Sequence, residues 1–425
     1  MKLKTILQEA QKDRAALSFL SQLVKKGPFA NRVFLAGGAP RDMQLGADPK
    51  DLDVLVKGDS NAGIDFATWA TKEIGNYKEG SNPVIYPRFF TAKFTLKGVT
   101  HDGIDLSDVD VEAVAPRKEK YTPGSRKPEV SAGELGDDVN RRDFTVNSLL
   151  HDLTTGEVLD LTGMGKDDIK KGIIRTPLDP DVIFTDDPLR ILRAVRFAAK
   201  YNWKLPMFML RSIRKNVASL KNISRERIHD EVNKMLLTNN AGKAMRLLKA
   251  LKLAPFVFPS LDRIDDTDLA AIDTRPKDLP IRLATLFVSL PEAGKVAETE
   301  LRNTKYDTST IQMVKMILDN YRTLSDDPDG PIKIRELVAS LGENKTMQLA
   351  RFLFGDAENP STNTIRQQAQ FLRDNPLPIS GQDLIDMGMK PGPKFSEILS
   401  VVRKVYLSDP KTPKDQYIQV IKSHL

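Results

Sequence analysis

Apolar residues recur at helical intervals near the start of the chain. Ile6, Leu7, Leu17, Leu20 and Leu23 predict an amphipathic helix over residues 3–26. Short apolar runs then predict strands at 32–36 (Arg-Val-Phe-Leu-Ala) and 52–56 (Leu-Asp-Val-Leu-Val). A helix is expected at 60–74, and strand-like runs follow at 84–86, 89–96 and 109–114. The stretch 115–140 is polar and punctuated by Pro116, Pro123, Gly124, Pro128 and Gly133, which predicts a mobile basic loop. A helix is expected from about Arg142, and a hairpin around Gly156–Asp160. From Asp187 onward strand signals nearly vanish. Helix follows helix, broken at Pro206, Pro255, Pro259, Pro280 and 325–331. The pattern predicts an α+β N-terminal head, a mixed sheet with helices, followed by an all-α remainder.

Composition narrows the classes. A chain of 425 residues exceeds what one hydrophobic core usually serves, so two to four domains are expected. Sixty-four Lys and Arg against 57 Asp and Glu leave a net charge of +7, compatible with a nucleic-acid partner. There is no cysteine, which excludes disulfides, zinc–thiolate sites and cysteine nucleophiles. The first ten residues are charged and lack the apolar core of a signal peptide, and no run of about 18 apolar residues occurs. A cytoplasmic protein with no membrane span is the expectation.

The candidate chemistry begins at Phe34-Leu-Ala-Gly-Gly-Ala-Pro-Arg-Asp42, followed by Asp51-Leu-Asp53. A double glycine lets backbone approach a triphosphate closely, and Arg41 can fork onto phosphate oxygens. Asp51 and Asp53, two apart on a strand, face one side and can share metal ions, which proposes two-metal nucleotidyl transfer. Two divalent ions need more oxygen ligands. Asp110 and Glu112 in Val109-Asp-Val-Glu-Ala-Val114 both face one side of their strand, and Glu112 is favoured as third carboxylate or as acceptor of the primer hydroxyl's proton. The same pattern also fits an exposed strand face.

Two further clusters carry arginines. In Arg141-Arg-Asp-Phe-Thr-Val-Asn147, Arg142 and Asp143 can bind triphosphate and ribose hydroxyls respectively, with Asp143 expected as a helix cap or first-turn carboxylate. In Asp186-Asp-Pro-Leu-Arg190-Ile-Leu-Arg193-Ala-Val-Arg196, Asp187 and Arg190 can offer an acceptor and a forked donor to a base edge, while Arg193 and Arg196 reach phosphates. A basic surface helix with internal ion pairs is the alternative. His-Asp pairs at 101–102, 151–152 and 229–230 suggest a metal phosphohydrolase. Four histidines in all do not support it, and they are read as structural or surface residues.

Taken in order, these segments resemble the class II tRNA nucleotidyltransferase and bacterial poly(A) polymerase family. Gly37–Asp42 with Asp51 and Asp53 looks like its metal and triphosphate motif, and Arg141–Asn147 like its ribose-sensing motif. Asp160–Gly165 looks like its hinge, Asp186–Arg190 like its amino-acid nucleotide template, and Ile223–Ile228 with Glu231 like its last neck motif. The resemblance implies a nucleotidyltransferase head at 1–177, a helical neck carrying the template at 178–255, and a tRNA-binding body and tail at 256–425. It implies Mg2+ on Asp51 and Asp53, with Asp51, Asp53 and Glu112 catalytic. Gly38, Arg41, Arg142, Asp143, Arg193 and Arg196 would surround the nucleotide, and Asp187 and Arg190 would read its base. ATP, CTP and the tRNA 3′ end are the implied substrates. Asp186 stands where the family usually has Glu. Shared motifs do not separate CCA addition from poly(A), CC-only or A-only addition, nor from a catalytically silent RNA-binding protein. Pro376–Leu384 with Met387–Pro393 is similar to a tail segment of bacterial CCA-adding enzymes and favours CCA addition.

Overall fold

The computed structural model describes residues 2–49, 51–120, 129–357, 359–390 and 392–424. Two compact units divide the chain. One comprises 1–232 with 247–256, the other 233–246 with 257–425.

The first unit opens with α1 (Lys2–Lys26). β1 (Val33–Leu35) leads through Gly37 and Gly38 into α2 (Ala39–Gln44), and β2 (Leu52–Val56) precedes α3 (Ala62–Glu73). Strands β3 (Val84–Tyr86), β4 (Thr91–Thr95), β5 (Thr100–His101), β6 (Ile104–Asp105) and β7 (Asp110–Val114) follow. A 3-10 turn at Pro87–Phe89 stands between β3 and β4. β8 (Arg117–Lys120), β9 (Glu129–Ala132), α4 (Leu135–Asn140), β10 (Leu150–Asp152) and β11 (Val158–Leu159) complete the head. Seven strands form one sheet in the order β11-β10-β1-β2-β7-β4-β3; β2 and β7 run parallel, and every other neighbouring pair runs antiparallel.

Strand alternation decides what each face does. Val54, Val56, Ala92, Phe94, Val111 and Ala113 are buried on one face, against Phe66, Ala67 and Ala70 of α3 and Ala16, Leu20 and Val24 of α1. Burying a side chain such as Phe66 or Phe94 contributes roughly 1.5–3 kcal/mol. On the opposite face the register aligns Asp53 with Glu112, and Glu112 with Lys93. These polar residues stay on a face that no helix of the apolar cluster covers.

Two local expectations are corrected. The stretch 115–140 is not a loop throughout: β8 and β9 pair antiparallel, and α4 follows with a capping box between Glu134 and Asp137. Its charges pair with one another. Glu119 accepts hydrogen bonds from Arg117 (2.9 Å) and Arg141 (3.0 Å). Pro123, Gly124 and Pro128 lie outside the described residues. Nor does a helix start near Arg142. α4 ends at Asn140, because the wholly buried Asp138 draws both Arg141 (2.5 Å) and Arg142 (2.8 Å) back onto its carboxylate. Residues Thr145–Asn147 make only a 3-10 turn, pinned by Thr145 donating to Asp168 (2.6 Å).

Beyond Leu159 the described residues form no further strand of a sheet. The rest of the first unit contains α5 (Gly165–Lys171), α6 (Pro180–Asp186), α7 (Leu189–Lys200) and α8 (Met207–Asn216), and the start of α9 (Arg225–Leu236).

The second unit is helical. Its buried Arg282 donates to the carbonyls of Leu236, Thr238, Pro276 and Arg275 and so ties connecting loops to the Leu279–Phe287 helix. Towards the C-terminus, Ser380 caps the Gly381–Asp386 helix, and Ile379, Leu384, Ile398, Val402, Tyr417 and Ile421 bury together. The Pro/Gly-punctuated tail segment is thus also a packing element. Among the described residues no helix is long and apolar enough to cross a membrane.

Candidate active site

A cavity of about 450 Å3 opens where the Gly37–Gly38 turn faces α7, and it lies wholly within the first unit. Gly37 takes a φ of +71°, a conformation that disfavours side chains, and a Cβ on Gly38 would sit 3.0 Å from the Arg41 guanidinium. The turn therefore admits close approach only as glycine.

Arg41, on α2, is almost fully buried, at 4% exposure. Its guanidinium donates to Asp42 (2.9 Å) and to the Asn147 side-chain oxygen. Tyr201 donates its hydroxyl to the same Asp42 carboxylate (2.9 Å). The Arg41 guanidinium also lies over the rings of Tyr201 (4.9 Å) and Phe197 (5.2 Å).

Asp53 reaches the edge of this cavity and also lines a neighbouring acidic cleft with Asp51, Asp110 and Glu112. Burial pushes the Asp53 carboxyl up to about 6, the negative Glu112 and Asp51 add to the rise, and Arg142 partly opposes it. Asp51 lies one residue before β2 rather than within it. Asp110 is engaged: Lys93 (2.7 Å) and Thr95 (2.7 Å) both donate to it and hold its carboxyl below the usual range. Glu112 is the residue in register with Asp53.

Hard carboxylate oxygens that raise one another's proton affinity suit a divalent cation. Among the described residues no three His, Asp or Glu side chains are gathered closely enough to cage an ion alone. The set fits a divalent ion that keeps waters and shares further oxygen ligands with a bound polyanion.

The remaining predicted residues converge from the other side. Arg142 donates to Asp138 (2.8 Å) and to the Asn147 carbonyl (3.1 Å) while facing the cavity. Asp143 is not a helix cap. Its buried carboxylate accepts from the Phe144 amide (2.8 Å), the Asn147 side chain (2.8 Å) and Arg193 (2.8 and 2.7 Å). Burial alone would raise its pKa, but the Arg193 charge and these hydrogen bonds outweigh it and hold the carboxyl below its ordinary value. Arg193 and Arg196 both reach the buried Glu231, at 3.6 and 2.6 Å. Arg190 donates to the carbonyl of Arg141 (2.7 Å), and Asp187 is paired with Arg227 (3.0 Å). Asp187 and Arg190 share the cavity wall and a backbone hydrogen bond (3.0 Å), but their side chains are held by these other partners rather than by each other. Asp186 ends α6, and desolvation raises its carboxyl.

Sequence reasoning missed Phe197. Its ring faces the guanidiniums of Arg196 (4.3 Å), Arg41 (5.2 Å) and Arg193 (5.5 Å), and it lines the cavity with Lys200. Its place directly after Arg196 was the available signal. Arg227 lies in the Ile223–Ile228 motif, but its pairing with Asp187 had no signal, because the two are 40 residues apart. The His-Asp pairs fall on β5, β10 and α9 and do not assemble.

Six basic side chains (Arg41, Arg142, Arg190, Arg193, Arg196 and Lys200) face three acidic ones in this cavity, a balance that suits a polyanion beside a carboxylate metal site. The mixed sheet, the glycine turn and the paired aspartates supply the chemistry that a nucleotidyltransferase site requires. Comparison with known proteins makes that specific. Residues 33–175 match the poly A polymerase head domain, and residues 209–265 match the probable RNA and SrmB-binding site of polymerase A. A tRNA nucleotidyltransferase of Schizosaccharomyces pombe is 32% identical over 276 residues, 63% of this chain; the match spans 56% of that protein, little more than half its length. A CC-adding tRNA nucleotidyltransferase of Deinococcus radiodurans is 26% identical over 97% of this chain and 94% of its own. The Bacillus stearothermophilus CCA-adding enzyme, solved in complex with CTP, shares the fold with a TM-score of 0.70 at 21% identity, covering 97% of both chains. The chain thus resembles tRNA nucleotidyltransferases and bacterial poly(A) polymerases in sequence and in fold, enzymes that generally use a divalent metal.

Proposed function

We propose that this protein is a CCA-adding tRNA nucleotidyltransferase, which adds C, C and A to tRNA 3′ ends from CTP and ATP and releases pyrophosphate. One observation carries the reading: a single cavity is lined by Gly38, Arg41, Asp53, Arg142, Asp143, Asp187, Arg190, Arg193 and Arg196, residues drawn from three separate stretches of the chain. The functional division into a head at 1–177, a neck at 178–255 and a body and tail at 256–425 follows the same reading.

Arg41, Arg142, Arg193 and Arg196 bind and orient the triphosphate, and the glycine turn brings backbone to it. Asp143 orients the ribose side and fixes Arg193. Asp187 and Arg190 offer an acceptor and a donor to the edge of C or A, while G and U present the opposite order. Asp51 and Asp53 would hold the divalent ion, Mg2+ in this reading, which supplies charge neutralisation at the α-phosphate and acidifies the attacking hydroxyl. Glu112, in register with Asp53, accepts the proton of the 3′ hydroxyl. The new bond joins that oxygen to the α-phosphate, and the bond to the pyrophosphate oxygen breaks.

A second reading, CC-only addition, is favoured by a relative that matches nearly the whole chain and bears that name. Extension of labelled tRNA transcripts ending before C, after C and after CC, with each nucleotide singly and together, separates the two. Growth by C, C and A that then stops supports CCA addition. Arrest after two C residues supports the second reading. Long A tracts on any RNA would overturn both.

A further inference from the structure

The sheet face that carries the carboxylates continues past them. Register runs from Asp53 to Glu112 to Lys93 to Val84 across β2, β7, β4 and β3. Residues directly opposed in a sheet project to the same side, and Tyr86, two along from Val84, shares it. β3 is the sheet's edge. Val84 and Tyr86 are 38% and 46% exposed, and Phe89, in the turn after β3, is 49% exposed. Basic groups accompany the rings: the Arg88 guanidinium lies 6.0 Å over Phe89, and exposed Lys93 stands between Tyr86 and the carboxylates. Lys93 is held charged chiefly by its hydrogen bond to Asp110, with Tyr86 and Glu112 contributing to the same field.

The direction of the reaction gives this edge an occupant. The arginine cavity lies on the β1 side of Asp53, and in-line displacement brings the attacking hydroxyl from the side opposite the departing pyrophosphate. That side is β7, β4 and β3. At a strand spacing near 4.8 Å, β3 lies roughly 10 Å beyond β7. About three stacked nucleotides, at about 3.4 Å each, span that distance. Exposed aromatic rings interleaved with Arg and Lys are the chemistry that holds single-stranded nucleic acid.

We propose that Tyr86 and Phe89, flanked by Arg88 and Lys93, form a ledge on which the single-stranded 3′ end of the RNA primer stacks. This rests on the nucleotidyl-transfer reading above. The test uses the full chain and a tRNA acceptor minihelix carrying 2-aminopurine as its last unpaired nucleotide. With the wild-type protein, binding without any nucleoside triphosphate should change the probe's fluorescence as the base stacks. Tyr86→Ala with Phe89→Ala should abolish that change and raise the KM for RNA roughly tenfold or more, with the KM for nucleotide unchanged. Tyr86→Phe should retain both properties. The main-chain carbonyl of Phe89, which accepts from Arg117 (3.0 Å), survives these substitutions. An unchanged RNA KM with an unchanged probe signal would overturn the ledge. So would sedimentation showing that the double variant loses only a self-association of the exposed edge. The fluorescence needs no turnover, so stacking without nucleotide addition would sink the transfer reading alone, and addition that ignores both rings would sink the ledge alone.

Discussion

Asp143 gives the sharpest test of how the cavity is organised. Its carboxylate is 8% exposed and accepts four hydrogen bonds, two of them from Arg193. Asp143→Ala leaves that guanidinium short of its principal partner. Breaking a buried ion pair costs about 3–5 kcal/mol. Glu231 still stands 3.6 Å from Arg193, so the lower end, about 3 kcal/mol, is expected in denaturant unfolding. Asp143→Asn keeps the volume and part of the hydrogen bonding, and should cost about half as much. Because Arg193 is also assigned to the nucleotide, kcat/KM for CTP should fall in both variants, by roughly 10- to 100-fold in the alanine variant, from one charged hydrogen-bonding group lost. A double-mutant cycle with Arg193→Ala isolates the pair, with a coupling of about 2 kcal/mol expected. Additive effects, or an alanine variant within about 1 kcal/mol of wild type and with an unchanged KM for CTP, would show that Asp143 does not anchor Arg193.

Three other predictions concern charges in and around the site. Asp53 binds its proton more tightly in the folded protein, at about 6 against an ordinary 3.8, so in the absence of metal its contribution to stability falls as pH rises from about 4 through 6. Asp53→Asn should therefore abolish nucleotide addition yet stabilise the protein in EDTA at pH 7–8, by up to about 3 kcal/mol before solvent screening; a lower melting temperature than wild type under those conditions would contradict the cause assigned. Asp138 and Asp143 act with the opposite sign, since their folded pKa values are lowered, so their contribution is present above about pH 4 and lost on further acidification. Arg227→Ala removes a half-exposed ion pair and should change stability by no more than about 1 kcal/mol. Its effect should appear instead as weaker discrimination of CTP and ATP from UTP and GTP, because Asp187 loses its anchor; intact discrimination would remove Arg227 from the site.

Much of the head was legible because local pattern and tertiary role agree there. The runs 52–56 and 84–86 are strands with those bounds, and the alternation in β2 and β7 puts Asp53 and Glu112 on the uncovered face. Legibility failed where a buried charge overrides local preference. Arg141-Arg-Asp-Phe reads as a helix start, but Asp138 collects both arginines and Asp143 turns inward to Arg193. The stretch 115–140 read as loop because its prolines and glycines mask a hairpin whose charges pair across the chain. Within the site, the motif residues could be named from spacing. The pairings between them could not, since Glu231 and Arg227 meet Arg196 and Asp187 only after 35 and 40 residues of intervening chain have folded.

In the proposed function, one carboxylate and arginine site builds a three-nucleotide end. Pyrophosphate released per tRNA transcript lacking CCA counts the additions directly. With CTP and ATP together the count should reach three and stop; CTP alone should give two, and GTP none. A plateau at two with both nucleotides present, or release from ATP that continues without limit, would contradict the account.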